Sequence, residues 1–189
     1  MSFMGKLRDH EFKSSYHKLN DDVAKEFYLP CMRNASVYKR ISGYFGSTIY
    51  IIAWSALKEF ISNNGHMQLL CSPYLTEEDA EAIREGKAAL TDEVLAKSFQ
   101  KELSELMEQE NVSSAAKLFA CLIANKIIEI KLVIARDDKR KDPNIERLYH
   151  DKAGIFIDRD GDSVAFRGSI NETFKGLSDN GNIESVDVF

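Results

Sequence analysis

The chain has 189 residues, 44% of them apolar and 29% charged, which is the usage of a globular domain with room for one proper core. Its net charge of −5 excludes a general basic attraction for nucleic acid, so any such binding must come from a local patch. No apolar run is long enough to span a bilayer, MSFMGKLRDHEF has no apolar signal core, and Cys31, Cys71 and Cys121 read as buried reduced thiols of a cytoplasmic protein rather than a disulfide or metal site.

Residues 20–34 are predicted to form a helix, with Val23 and Phe27 one turn apart, and 37–45 a strand. Ser47 is placed to cap an apolar helix that runs to about residue 63, where Asn63-Asn64-Gly65 stops it. Residues 67–72 form a short buried strand, and Thr76-x-x-Asp79 opens the next helix in the manner of a capping box. Helices follow over 92–109 and 113–126, then a strand over 128–135 and a charged loop over 136–147. Residues 148–158 and 163–167 read as strands joined by the turn Asp160-Gly161-Asp162, and 183–189 as a last strand. Strands alternate with helices early and pair directly late. The expected fold is α/β, a mixed sheet sandwiched between helices on both faces, in one domain over 1–189. Basic candidates are Lys39 and Arg40, then Arg136, Lys139, Arg140 and Lys141, then Arg167 and Lys175, while the acidic excess lies over 77–110, read as a solvated helical face.

Chemistry concentrates after residue 148. His150 and Lys152, two apart on a predicted strand, would share a face. Past the hairpin, Gly168-Ser169-Ile170-Asn171 again sets two polar groups two residues apart, and Glu184 stands near the start of the last strand. A neutral imidazole is a competent nucleophile toward phosphorus. An ammonium, a hydroxyl and an amide together stabilise the charge on phosphoryl oxygens. A carboxylate on the second imidazole nitrogen would hold its tautomer. This set needs no metal, no metal-ligand spacing stands out, and no cofactor is expected. Arg40 and Tyr44 are candidates for substrate binding, Tyr44 by stacking on a base; a core role is the alternative.

The order H-x-K, G-S-x-N and a downstream acidic residue resembles the phospholipase D superfamily. YKRISGYFGS, a helix and MQLLCSPYLTEEDAEAI are similar to the nuclease-like domains that precede DEAD/DEAH-box helicase cores in bacterial proteins, so the likeness runs over about residues 20–189. It implies that His150 is the nucleophile or acid, that Lys152, Ser169 and Asn171 bind the phosphate, and that Glu184 orients His150. Asp158 follows Lys152 after five residues rather than the family's four, and its role is left open. Glu172 is the other acidic candidate, read as displaced to the turn and facing water. The implied activity is metal-independent phosphodiester hydrolysis of nucleic acid, DNA before RNA, through a phosphohistidine, with no membrane involved. The alternative is a catalytically weak nucleic-acid- or partner-binding module attached to a helicase. On either view the chain is expected to be the N-terminal part of a longer helicase-type protein. In the family each of two histidines comes from its own H-x-K copy. This chain has one copy, which implies a two-fold homodimer with a shared site.

Overall fold

In the computed structural model, residues 6–134 and 148–189 are described. The strands are β1 (Ser15–His17), β2 (Val37–Ser42), β3 (His66–Cys71), β4 (Ile128–Leu132), β5 (Ala153–Ile157), β6 (Ser163–Gly168) and β7 (Ser185–Val188). They form one seven-stranded sheet in the order β1-β7-β6-β5-β2-β3-β4. The helices are α1 (Leu29–Asn34), α2 (Ile49–Ser62), α3 (Glu77–Ala88), α4 (Glu93–Met107), α5 (Ala115–Ala124) and α6 (Phe174–Leu177). β2, β3 and β4 run parallel, joined by helical crossovers, whereas β5, β6, β7 and β1 are antiparallel neighbours. The α/β class and the mixed sheet are therefore as the sequence predicts.

Local signals account for several boundaries. Thr76 Oγ1 accepts the Asp79 amide at 3.1 Å, Asp92 Oδ1 accepts those of Val94 and Leu95 at 2.9 and 3.0 Å, and Ser114 Oγ accepts that of Lys117 at 3.3 Å, starting α3, α4 and α5. Ser47 is not the cap of α2. Its amide instead donates to the buried Asp79 carboxylate at 3.2 Å, and Thr48 takes the cap position without a side-chain bond. The expected helix over 20–34 is divided: Ala24–Tyr28 is π-helical and α1 follows. Pro30 has no N–H to donate, which favours such a change of hydrogen-bond spacing.

The distribution of helices departs from expectation. Tyr38, Arg40, Met67, Leu69, Ile128, Phe156, Val164, Phe166 and Val186 point to one face and are buried there. Tyr38 stacks on Phe156 at 4.1 Å between ring centroids, and Phe27 meets Phe166 edge-on at 5.3 Å. On the opposite face no strand residue is buried: Lys39, Lys131 and Arg167 are exposed, and Ile41, Leu70 and Ile155 are half-buried. Among the described residues the helices thus gather on a single face. The strand pattern accounts for this on β4 and β7, where Glu129, Lys131, Ser185 and Asp187 alternate with the core set, whereas Ile41, Leu70 and Ile155 leave the centre of the second face apolar. No described helix is long and apolar enough to cross a membrane. Cys31, Cys71 and Cys121 are free and buried, as expected. Burial pushes the thiol pKa of Cys71 up to about 12 and that of Cys121 up to about 11.

Candidate functional site

The sequence-predicted residues meet at the carboxyl end of β2, where the parallel half of the sheet adjoins the antiparallel half. The carboxyl ends of parallel strands in open α/β sheets commonly collect ligand sites. His150 and Lys152 are not within a strand, since β5 begins only at Ala153. They nevertheless converge. The Lys152 ammonium donates to the His150 carbonyl at 2.8 Å and lies 3.0 Å from Nδ1 and 3.1 Å from Nε2 of the ring. His150 is exposed while Lys152 is 6% exposed. Burial, the largest cause, lowers the Lys152 pKa; the Glu184 charge opposes this and Arg40 adds to it.

Asn171 reaches the same place from the other side. Its Oδ1 accepts the Tyr44 amide at 3.0 Å. Gly43 lies between: a Cβ there would sit 2.7 Å from His150 Cδ2 and 3.3 Å from Asn171 Oδ1. Glycine at this position lets the imidazole and the amide approach the same backbone. Tyr44 is partly exposed and meets the His150 ring edge-on at 5.7 Å. It therefore borders the site, whereas the adjoining Phe45 is core, packed on Phe119.

Ser169 is placed by β7. Its amide donates to the Ser185 carbonyl, and its Oγ accepts the Ser185 amide, both at 3.0 Å. The neighbouring Gly168 amide donates to the Lys152 carbonyl at 3.2 Å, which ties this turn to the lysine. A Cβ at Gly168 would fall 2.1 Å from the Ser185 carbonyl, so only glycine admits β7 so close. Glu184 precedes β7 and is buried, its Oε1 accepting from Asn182 Nδ2 at 3.2 Å. Among the described residues the polar neighbour of the His150 ring is Lys152, not Glu184, whose charge acts on Lys152 and on Lys18.

Two expectations are corrected, and Asp158, whose role the sequence leaves open, is assigned one. Glu172 does not face water: it is 1% exposed and receives Tyr28 OH on Oε1, with Tyr38 OH at 3.1 Å and Arg40 Nε at 2.9 Å on Oε2. A carboxylate so deep must be paired and hydrogen-bonded, and three inward donors supply that. Arg40 consequently does not line an open cleft. It is 2% exposed, held by Glu172 and by the Ile170 carbonyl, with its guanidinium over the Phe166 ring. Asp158 lies at the opposite end of β5, where Oδ1 accepts the Asp160 and Asp162 amides and Oδ2 that of Leu7; it organises the hairpin. The basic candidates Arg136, Lys139, Arg140 and Lys141, with the loop 136–147, lie outside the described residues.

Other contributors had no sequence signal. Tyr28 stands more than a hundred positions from Glu172, and Ser42, which accepts the Glu172 amide at 2.8 Å, reads only as a strand-end serine. Lys18 donates to the carbonyls of Gly176 at 3.1 Å and of Ser178, binding the segment between Asn171 and Glu184 to the N-terminal strand region.

Fold and site together define an α/β protein whose sheet end carries an exposed imidazole, a converging ammonium and an inward-held amide, a set able to receive an oxyanion. No protein-family model matches the chain and no curated protein matches it, so the functional reading rests on this geometry.

Proposed function

We propose that the protein is a phosphodiesterase acting on nucleic acid, with His150 as nucleophile. The observation that carries this reading is the convergence of Lys152 Nζ on the His150 ring, with Asn171 brought to the opposite side of Gly43. An imidazole nitrogen attacks phosphorus and the bond to the leaving oxygen breaks, giving a phosphohistidine and an alcohol once that oxygen takes a proton. Water then attacks, the P–N bond breaks and a phosphomonoester leaves. Lys152, Asn171 and the Ser169 hydroxyl stabilise the non-bridging oxygens through both steps. Tyr44, 40% exposed, offers a ring face on which a base can stack.

The proton for the leaving oxygen calls for a second acid on the far side of phosphorus. The chain has one H-x-K copy. The reading therefore includes a two-fold homodimer whose two His150 side chains face one cleft, in a protein of the helicase-associated type. Mixing His150→Ala protomers with wild type should lower activity more steeply than the mutant fraction; monomers with full activity in light scattering refute the shared site.

The test of the whole reading is cleavage of DNA and RNA oligonucleotides in excess EDTA by wild type and His150→Ala, with trapping of phosphorylated His150. Cleavage lost on chelation and restored by magnesium refutes the metal-free route. The net charge of −5 favours one rival, a binding module with weak or no turnover. Saturable nucleic-acid binding without cleavage would select it.

A further inference from the structure

The buried group behind the site has a consequence for the site itself. Glu172 follows Asn171 directly, and its main chain is held as firmly as its side chain. Its amide donates to Ser42 Oγ at 2.8 Å, its carbonyl accepts the Gly46 amide at 2.9 Å, and it forms a parallel bridge with Phe45. Ser42 Oγ in turn donates to the Tyr44 carbonyl at 2.6 Å. Arg40 binds the Glu172 carboxylate with Nε and the Ile170 carbonyl with Nη2, so one guanidinium spans both residues flanking Asn171. The turn carrying Asn171 and the loop carrying Gly43 and Tyr44 are thus fastened to each other through the Glu172 main chain, and that residue is anchored to β2 and to Tyr28 by its carboxylate. Burial first, and the Glu172 charge next, raise the pKa of both tyrosine hydroxyls well above the ordinary value, so they stay protonated donors.

We propose that Glu172, with Arg40 behind it, is the positioning residue of this site, holding Asn171 and the 43–45 loop in register with His150. The proposal rests on the reading of that site as a phosphodiester site. Glu172 touches no reacting atom; it acts through Asn171 and through the Tyr44 amide that Asn171 accepts. A chemical role for the carboxylate is disfavoured by its burial beneath the turn. A shift of the amide by a fraction of an ångström should slow chemistry more than binding, because transition-state contacts are the more demanding of geometry.

The experiment combines steady-state kinetics on a phosphodiester oligonucleotide with native-state hydrogen exchange, using wild type, Glu172→Gln and Tyr38→Phe. Phe60→Leu, a core variant of α2, serves as a control for lost stability. At a temperature where each protein is folded, Glu172→Gln should lower kcat by roughly tenfold or more while KM stays within about twofold. The Tyr44 and Gly46 amides should exchange faster relative to amides of β3. Phe60→Leu should keep both kcat and that exchange ratio. Wild-type kcat in folded Glu172→Gln, or no selective acceleration at Tyr44 and Gly46, overturns the proposal. Should Glu172→Gln fail to fold, Tyr38→Phe removes a single donor and keeps the ring on Phe156. It should move kcat and exchange in the same direction by a smaller factor, and no change in either overturns the proposal. Absence of turnover in wild type would instead refute the phosphodiester reading, and the exchange ratio alone then decides the positioning role.

Discussion

Two regions at one end of the sheet adjoin where Asn171 is followed by Glu172, and they are opposite in construction. His150 is exposed, and of its partners in the proposed site Lys152 approaches it from two positions along an irregular stretch of chain. Directly behind, Tyr28, Tyr38, Arg40 and Glu172 are almost wholly buried; both tyrosine hydroxyls and Arg40 Nε are aimed at the Glu172 carboxylate and Arg40 Nη2 at the Ile170 carbonyl, while Arg40 Nη1 has no hydrogen-bond partner among the described residues. The outer group is free to meet a ligand because its own polar atoms are only partly engaged. The inner group cannot meet one, because it is buried and bonded within itself. The contrast explains why a charged residue next to a site motif need not be part of the chemistry: Glu172 adjoins Asn171, yet its side chain turns inward to a charge that cannot stay unpaired.

If the outer group reacts and the inner group holds, their variants should fail differently. The largest effect is expected for His150→Ala. Turnover should fall by roughly 10⁴-fold or more, with unfolding free energy within about 0.5 kcal/mol of wild type, because little packing is lost. Undiminished cleavage by the variant would mean that the chemistry lies elsewhere.

Arg40→Met reverses the pattern. It leaves Glu172 buried without its cation and should cost about 3–5 kcal/mol of stability, read in urea unfolding. Combining it with Glu172→Gln should recover a large part of that loss, because no lone charge remains. A loss below about 1 kcal/mol in the single variant would show that water already reaches the pair.

Glu184→Gln sharpens the distinction through pH. The Glu184 charge raises the Lys152 pKa against the lowering effect of burial. Removing it should lower that pKa further. A step that needs the ammonium is lost as pH rises through it, so the alkaline limb of the kcat profile should move to lower pH. An unchanged limb would separate Glu184 from Lys152. Glu184→Gln should also slow single turnover at neutral pH. The Glu172→Gln defect should differ from it in kind, accompanied by faster exchange at Tyr44 and Gly46.

The smallest effect is expected for Tyr44→Ala. Its ring meets His150 by an edge and is 40% exposed. If it stacks a base, KM should rise about five- to tenfold for nucleic acid, corresponding to roughly 1–1.4 kcal/mol, with little change for a small phosphodiester lacking a base. Equal effects on both substrates would make Tyr44 a wall of the site rather than a base platform.

The sequence by itself determined what depends on neighbours within a few residues. The cap at Thr76 and the hairpin at Gly161 are each decided by a short local bond, and each appears in the structure, whereas the cap expected at Ser47 does not. The pairing of His150 with Lys152 was legible for a related reason, since two residues of chain limit how far apart the side chains can be, although the expected strand is irregular there. Tertiary structure alone decided the rest. Whether helices cover one face or two depends on how separate elements pack, which no single strand encodes. The Arg40–Glu172 bond joins positions 132 apart, and the Tyr28 bond positions 144 apart. Only when β2, the 43–45 loop and the turn after β6 close on one another does the acidic residue beside Asn171 find its cation inside, because a carboxylate goes where its charge can be satisfied once water has been excluded.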